Sequence, residues 1–151
     1  MCSECVSMRI TQETQFKQLE NCEMIDGSLW FKGFTYSKVS FPNLLVIKGS
    51  LMIHKIDNLT SVRQLLPNLA HIQGNESTLS IVANRDLEKL DFQRLLKIDS
   101  GLVETYNNPH LCLSDMMIWS KIQKNISPII KNVEVWNSKD ILKFLMYCLL
   151  R

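Results

Sequence analysis

The stretch FPNLLVIKGSLMI, residues 41–53, is echoed about two dozen positions later by LPNLAHIQGNESTLSI, residues 66–81. Each copy reads Pro-Asn-Leu, then Ile-x-Gly, then an apolar alternation, and neither is long enough to enclose a core of its own. Two further segments fit the same frame, so that MIDGSLWF from Met24, VIKGSLMI from Val46, HIQGNESTLSI from His71 and KIDSGLVETY from Lys97 align. Their isoleucines, Ile25, Ile47, Ile72 and Ile98, are 22, 25 and 26 residues apart. Units of this period bury an apolar face only by stacking on one another. The expected fold is therefore mainly β with flanking helices: a short parallel β-helix, or leucine-rich-repeat-like solenoid, capped by helices.

Within each copy the period is two, as in a strand whose side chains alternate between faces. Ile47, Gly49, Leu51 and Ile53 are expected to point inward, and Lys48, Ser50, Met52 and His54 outward. Gly49 marks a bend or a place where backbone comes too close for a Cβ. Applied to all four copies, the alternation gives a candidate recognition face of Trp30, Lys32, Met52, His54, Ser80, Val82, Val103 and Thr105, with Trp30 and Met52 as its apolar anchors. Glu104 then falls on an inward position, and NEST after Gly74 is expected to protrude as a polar loop. Between strands, NRDLEKL (84–90) and NNPHLCL (107–113) share Asn-x-x-Leu, with DNLTSV (57–62) a looser version. Such an asparagine can bond neighbouring backbone and hold a corner. Pro42 and Pro67 set extended entries to the next turn.

Two segments carry helical spacing. TQETQFKQLENC (11–22) places Phe16 and Leu19 on one face, with Thr11 and Thr14 as cap candidates, and LSDMMIWSKIQKNI (113–126) aligns Met117, Ile118, Ile122 and Ile126. Each is expected to close one end of the stack. The C-terminal ILKFLMYCLL, ten residues with a Lys inside, reads as a buried or partner-seeking helix.

The composition is ordinary for one globular domain: 151 residues, 46% hydrophobic, 17 basic against 15 acidic side chains, net charge +2. There is no basic stripe for nucleic acid, and no stretch of the roughly 18 to 20 apolar residues that a spanning helix requires. The N-terminus lacks a secretory apolar segment, which is expected either of a chain shown without its signal or of a cytosolic one. No catalytic motif is present, and with five glycines there is no phosphate-binding loop. A carbohydrate-active β-helix would need carboxylates grouped on one outward face, and the positions assigned above hold none. Cys2-x-x-Cys5 is half of a zinc motif without a second half, His54, His71 and His110 are scattered, and no metal or cofactor is expected. The five cysteines, Cys2, Cys5, Cys22, Cys112 and Cys148, lie towards the two ends, where disulfides would clamp an elongated domain.

QLENCEMIDGSLWF, FPNLLVIKGSLMI, NLTSVRQLLPNLAHIQG, NRDLEKLDFQRLLKI and YNNPHLCLSDMMIWS, in this order and with Trp119 seven residues after Cys112, resemble the receptor L-domain of the insulin and epidermal growth factor receptor families. The resemblance implies a right-handed solenoid over residues 1–135, with its core at about 20–113, an end-cap helix at about 113–127 and a divergent helical tail at 136–151. It implies an extracellular or cell-surface setting, no catalysis, and recognition of a peptide hormone, growth factor or receptor ectodomain through the open sheet, with homo- or hetero-association compatible. It also implies that Cys22 pairs with Cys5 or Cys2, and Cys112 with Cys148. Sequons at Asn58, Asn75 and Asn125 agree with that compartment. The face is more polar on its third and fourth strands than in the hormone receptors, so insulin itself is not the expected ligand. The alternative is an intracellular leucine-rich scaffold with free thiols.

Overall fold

The computed structural model describes residues 3–74, 77–92, 94, 95, 97–99, 101–112, 129–131 and 148. Its strands are β1 (Glu4–Ile10), β2 (Met24–Lys32), β3 (Val46–Ile47), β4 (Leu51–His54), β5 (His71–Ile72), β6 (Ser77–Val82), β7 (Lys97–Ile98), β8 (Leu102–Tyr106) and β9 (Ile129–Lys131). All strand pairs are parallel. The long β2 joins two runs: its start pairs with β3, followed by β5 and β7, while its end pairs with β4, followed by β6, β8 and β9. β1 lies along β2 on the side opposite both.

The registers explain the repeat. Ile25, Ile47, Ile72 and Ile98 are consecutive partners across the first run, and all are buried. Across the second run, Leu29, Leu51, Leu79 and Val103 form one buried row, and Phe31, Ile53, Ile81 and Thr105 another. Each inward side chain therefore stacks on the equivalent position of the next level, and the core is a continuous column of such rows. At the β2 end the column finishes in aromatics. The Phe31 and Phe41 rings stack with centroids 6.0 Å apart, and Phe16 meets Phe34 edge-on at 5.3 Å.

Where one run passes into the other, the chain turns through Gly-Ser. Gly49 N donates to Gly27 O at 2.7 Å and Gly74 N to Gly49 O at 3.0 Å. A Cβ on Gly49 would lie 2.7 Å from the carbonyl carbon and oxygen of Gly27, so close approach of backbones excludes any side chain there. The neighbouring serines stack in turn: Ser28 N donates to Ser7 Oγ and Ser50 N to Ser28 Oγ. Ser50 is thus buried in this corner and not outward as its alternation predicts, because the strand is interrupted between Ile47 and Leu51. Ser77 and Thr78, expected in a polar loop, belong to β6, where the pairing with β8 shifts register and Thr78 is fully buried. Asn75 lies outside the described residues.

The second corner follows β2, β4, β6 and β8, where Gly33, Lys55, Ala83 and Asn107 all take left-handed backbone, with φ of 75°, 54°, 57° and 55°. Asparagine then holds the turn. Asn84 is fully buried: its Oδ1 accepts from Ile56 N at 3.0 Å, and its Nδ2 donates to Ile53 O at 2.9 Å and to Asn108 Oδ1 at 3.1 Å. Asn108 repeats the pattern one level on, with Nδ2 donating to Ile81 O at 2.9 Å. In the Pro-Asn-Leu segments, Asn43 Nδ2 donates to Glu20 O and Asn68 Nδ2 to Pro42 O, so each asparagine ties its repeat to the one before.

The helices are short. A 3-10 turn, Glu13–Gln15, leads into α1 (Phe16–Leu19), which buries Leu19, and α2 (Val62–Leu65) buries Val62 and Leu65. The N-terminal partner of the first is Gln15, whose Oε1 accepts from Thr11 N at 2.7 Å, and Gln64 does the same for Thr60 N at 3.1 Å. Thr11 therefore donates to a cap instead of serving as one. Sequence periodicity missed both β1 and α2, and β1 carries the core below its expected start, through buried Ile10. Cys5 is bonded to Cys22, and Cys112 to Cys148. The expected helix over 113–127, with Trp119, and nearly all of the 136–151 tail lie outside the described residues.

Replacing Asn84 with Ala strands Ile56 N–H and Ile53 C=O in the core, and each orphaned buried group costs on the order of 1–3 kcal/mol. Asn84→Ala should therefore lower unfolding free energy in urea by about 3 kcal/mol while Cys5–Cys22 stays intact. A loss below about 0.5 kcal/mol would show that the corner does not rest on this side chain.

Candidate ligand-binding face

Counting back from the corner fixes which side chains face out. Leu29, Leu51, Leu79 and Val103 each stand five residues before Phe34, Ile56, Asn84 and Asn108, and all of these are buried. The outer surface of β1, β2, β4, β6 and β8 therefore carries two rows. Arg9, Trp30, Met52, Ser80 and Glu104 are successive partners in one, and Lys32, His54, Val82 and Tyr106 in the other. The backbone of β9 continues beyond Glu104 and Tyr106.

Of the expected face, Trp30, Lys32, Met52, His54, Ser80 and Val82 share this side of the sheet, but Ser80 is only 6% exposed. Val103 and Thr105 do not belong to it: both are buried in the core, and Glu104 and Tyr106 face outward in their place. The cause is spacing. Two residues separate Ile98 from Gly101 where one separates Ile47 from Gly49, which inverts the alternation when it is counted from the isoleucine. Counting from the Asn-x-x-Leu corner would have recovered the phase. Arg9 was missed with β1, whose alternation is broken by a register shift between Val6 and Met8.

Trp30 is the centre of the β2 end. The Arg9 guanidinium carbon lies 4.2 Å from its ring centroid, and Lys32 Nζ lies 5.4 Å from it, both within cation–π range. The His54 ring meets the indole edge-on at 5.8 Å, and His54 Nε2 is 2.8 Å from Ser80 Oγ. This contact covers Ser80. The Trp30 indole N–H is itself buried, with no acceptor among the described residues. Burial, reinforced by the charges of Lys32 and Lys55, holds the His54 ring below the ordinary histidine range.

Two open clefts lie elsewhere, on the turns around α2: one of about 430 Å³ between Thr60, Arg63 and Asp91, the other of about 480 Å³ between Asn58, Asp86 and His110. Among the described residues, no three His, Cys, Asp or Glu side chains are placed to hold a metal ion, and no helix is long and apolar enough to cross a membrane.

By sequence, residues 21–123 match the receptor L domain family. The chain is 33% identical over 132 residues to an insulin-like peptide receptor of Branchiostoma lanceolatum, covering 80% of this chain and 10% of that protein. It is 32% identical over 126 residues to the insulin-like receptor of Drosophila melanogaster (78% of this chain, 6% of that protein). With the insulin-like growth factor 1 receptor of Xenopus laevis, identity is 30% over 119 residues (72% and 9%). The chain thus spans a tenth or less of the length of these relatives.

A lowered His54 pKa makes a testable link to stability. As pH falls through about 6.5, the unfolded chain takes up the proton before the folded chain does, so this residue destabilises the fold progressively from there down to its own folded midpoint. The His54 ring protons should titrate in NMR with a midpoint below that of a histidine in an unfolded peptide. A midpoint above it would contradict the burial and the lysine field described here.

Proposed function

Because the chain belongs to the receptor L domain family, we propose that it is a non-catalytic ligand-binding module that captures a peptide hormone or growth factor on the outer face of β1, β2, β4, β6 and β8. The observation that carries this is the face itself: an aromatic ring and a thioether side by side on a rigid parallel sheet, framed by charged and polar groups. Such a composition suits protein contacts, where a few large side chains carry most of the binding energy. The relatives' names, receptors for insulin-like peptides and for an insulin-like growth factor, supply the class of ligand.

On the same reading the stacked repeats form a short right-handed solenoid closed by helices, supported by the parallel registers and by the right-handed rule for parallel crossovers. The setting is extracellular or at the cell surface. The paired Cys5–Cys22 and Cys112–Cys148 support this, as does the sequon residue Asn58, which stands exposed on its turn with φ of 64°. Asn58, Asn75 and Asn125 are proposed as glycan acceptors. A receptor ectodomain, or a second L-domain, is the other class of partner this face suits.

In protein made by an oxidising secretory host, thiol labelling should find Cys5, Cys22, Cys112 and Cys148 protected and Cys2 reactive. Five reactive cysteines would instead favour the intracellular scaffold. Trp30→Ala combined with Met52→Ala should weaken capture of insulin-family peptides, assayed on the disulfide-bonded chain, by about tenfold or more with the circular dichroism spectrum unchanged. Unchanged capture would place the site off this sheet.

A further inference from the structure

The β1–β2 end of the face presents donors and cations without an anion to meet them. Arg9 and Lys32 approach the same indole, and neither has an ion-pair partner among the described residues. Arg9 is exposed and Lys32 and Trp30 are partly exposed, so both cations are within reach of a partner on this face. Lys55 follows directly from His54 at the end of β4 and adds to the positive field there. The carboxylates nearest in register, Glu4 and Asp26, lie at the opposite end of β1 and β2, where Lys48 engages both, at 2.7 and 3.7 Å. Arg63, Arg85 and Lys97 are each matched to an aspartate, whereas Lys17, Lys38, Lys89 and Arg94 stand in no ion pair among the described residues; what sets Arg9 and Lys32 apart is that both lie against one aromatic ring.

We propose that this end of the face binds an acidic side chain, Asp or Glu, of the peptide partner, with the carboxylate received by Arg9 and Lys32 beside Trp30. This rests on the face being the ligand site. A carboxylate meets the charge of both cations, and a guanidinium and an ammonium can both donate to its oxygens. A polyanion such as nucleic acid or a sulfated polysaccharide fits less well, because Arg9 is the one cation in its row and Glu104 stands at the far end of it. The sheet face is open and not a blind pocket, which suits a residue within a peptide segment instead of a chain end. Glu104, across the sheet, gives the ligand a direction: its acidic residue lies over β1 and β2, and neutral or basic residues lie over β8.

The test is selection from a random peptide library displayed on phage, against the disulfide-bonded chain and two variants. Peptides recovered on the parent should be enriched in Asp and Glu by about threefold or more over the input, and should bind more weakly as salt is raised. Arg9→Glu with Lys32→Glu should reverse the selection towards Lys and Arg, and Trp30→Ala with Met52→Ala should lose the parent's peptides. Peptides lost with the Trp30 and Met52 pair but showing no acidic enrichment would overturn this proposal and leave the face reading standing. Acidic enrichment that survives both pairs of substitutions would overturn both. Intact Cys5–Cys22 in the peptide mass map, with an unchanged circular dichroism spectrum, establishes that each variant is folded.

Discussion

The structure depends on in-register parallel stacking of identical inward positions. A strand of two residues, such as β3, cannot hold itself in water, and its isoleucine is buried only because Ile25 and Ile72 lie on either side. The same repetition meets the polar requirements of the backbone. Gly27, Gly49 and Gly74 bond one to the next at the first corner, and Asn84 and Asn108 do so at the second. Apolar rows and polar ladders therefore fix one register together. A slip of one residue would expose the isoleucines and break the asparagine ladder in the same step.

The fixed register also determines what the outer surface carries. Because inward positions are dictated by stacking, outward ones are free to differ from level to level, and they do: Trp30, Met52, Ser80 and Glu104 share one row with nothing chemically in common. The resulting surface is graded, cationic and aromatic at β1 and β2, mixed apolar and polar at β4 and β6, with acidic Glu104 beside Tyr106 at β8. His54 sits at the centre of this gradient, its pKa lowered by burial and by its lysine neighbours, and joins the aromatic end to Ser80.

The column of isoleucines was legible in the sequence because a single motif, Ile-x-Gly, occurs with little variation and its period exceeds that of any single strand or helix. Most of the face was legible for the same reason. What failed was the local phase wherever a residue is inserted. One extra residue before Gly101 sent Val103 and Thr105 to the wrong side, and the irregularity at Thr78 turned part of a strand into an expected loop. Alternation carries no information about where a bulge falls, whereas the buried asparagine corner does, since its bonds tolerate no offset. β1 escaped notice because its inward residues, Cys5, Met8 and Ile10, straddle a register shift and include a cysteine that hydrophobic patterning reads as redox chemistry. Arg9 went with it, and so the sequence alone showed the indole without the cation that lies over it.

The bond between Cys5 and Cys22 has a consequence for assembly. β1 forms the outer margin of the described sheet, with Val6 74% exposed, and an open margin is where a strand of another molecule most readily adds. Cys5 lies within β1 and Cys22 just before β2, 17 residues apart in sequence, so the bridge fastens the margin strand to the start of its neighbour. The oxidised pair thus keeps the strand that bears Arg9 in its own molecule, where it covers the edge of β2.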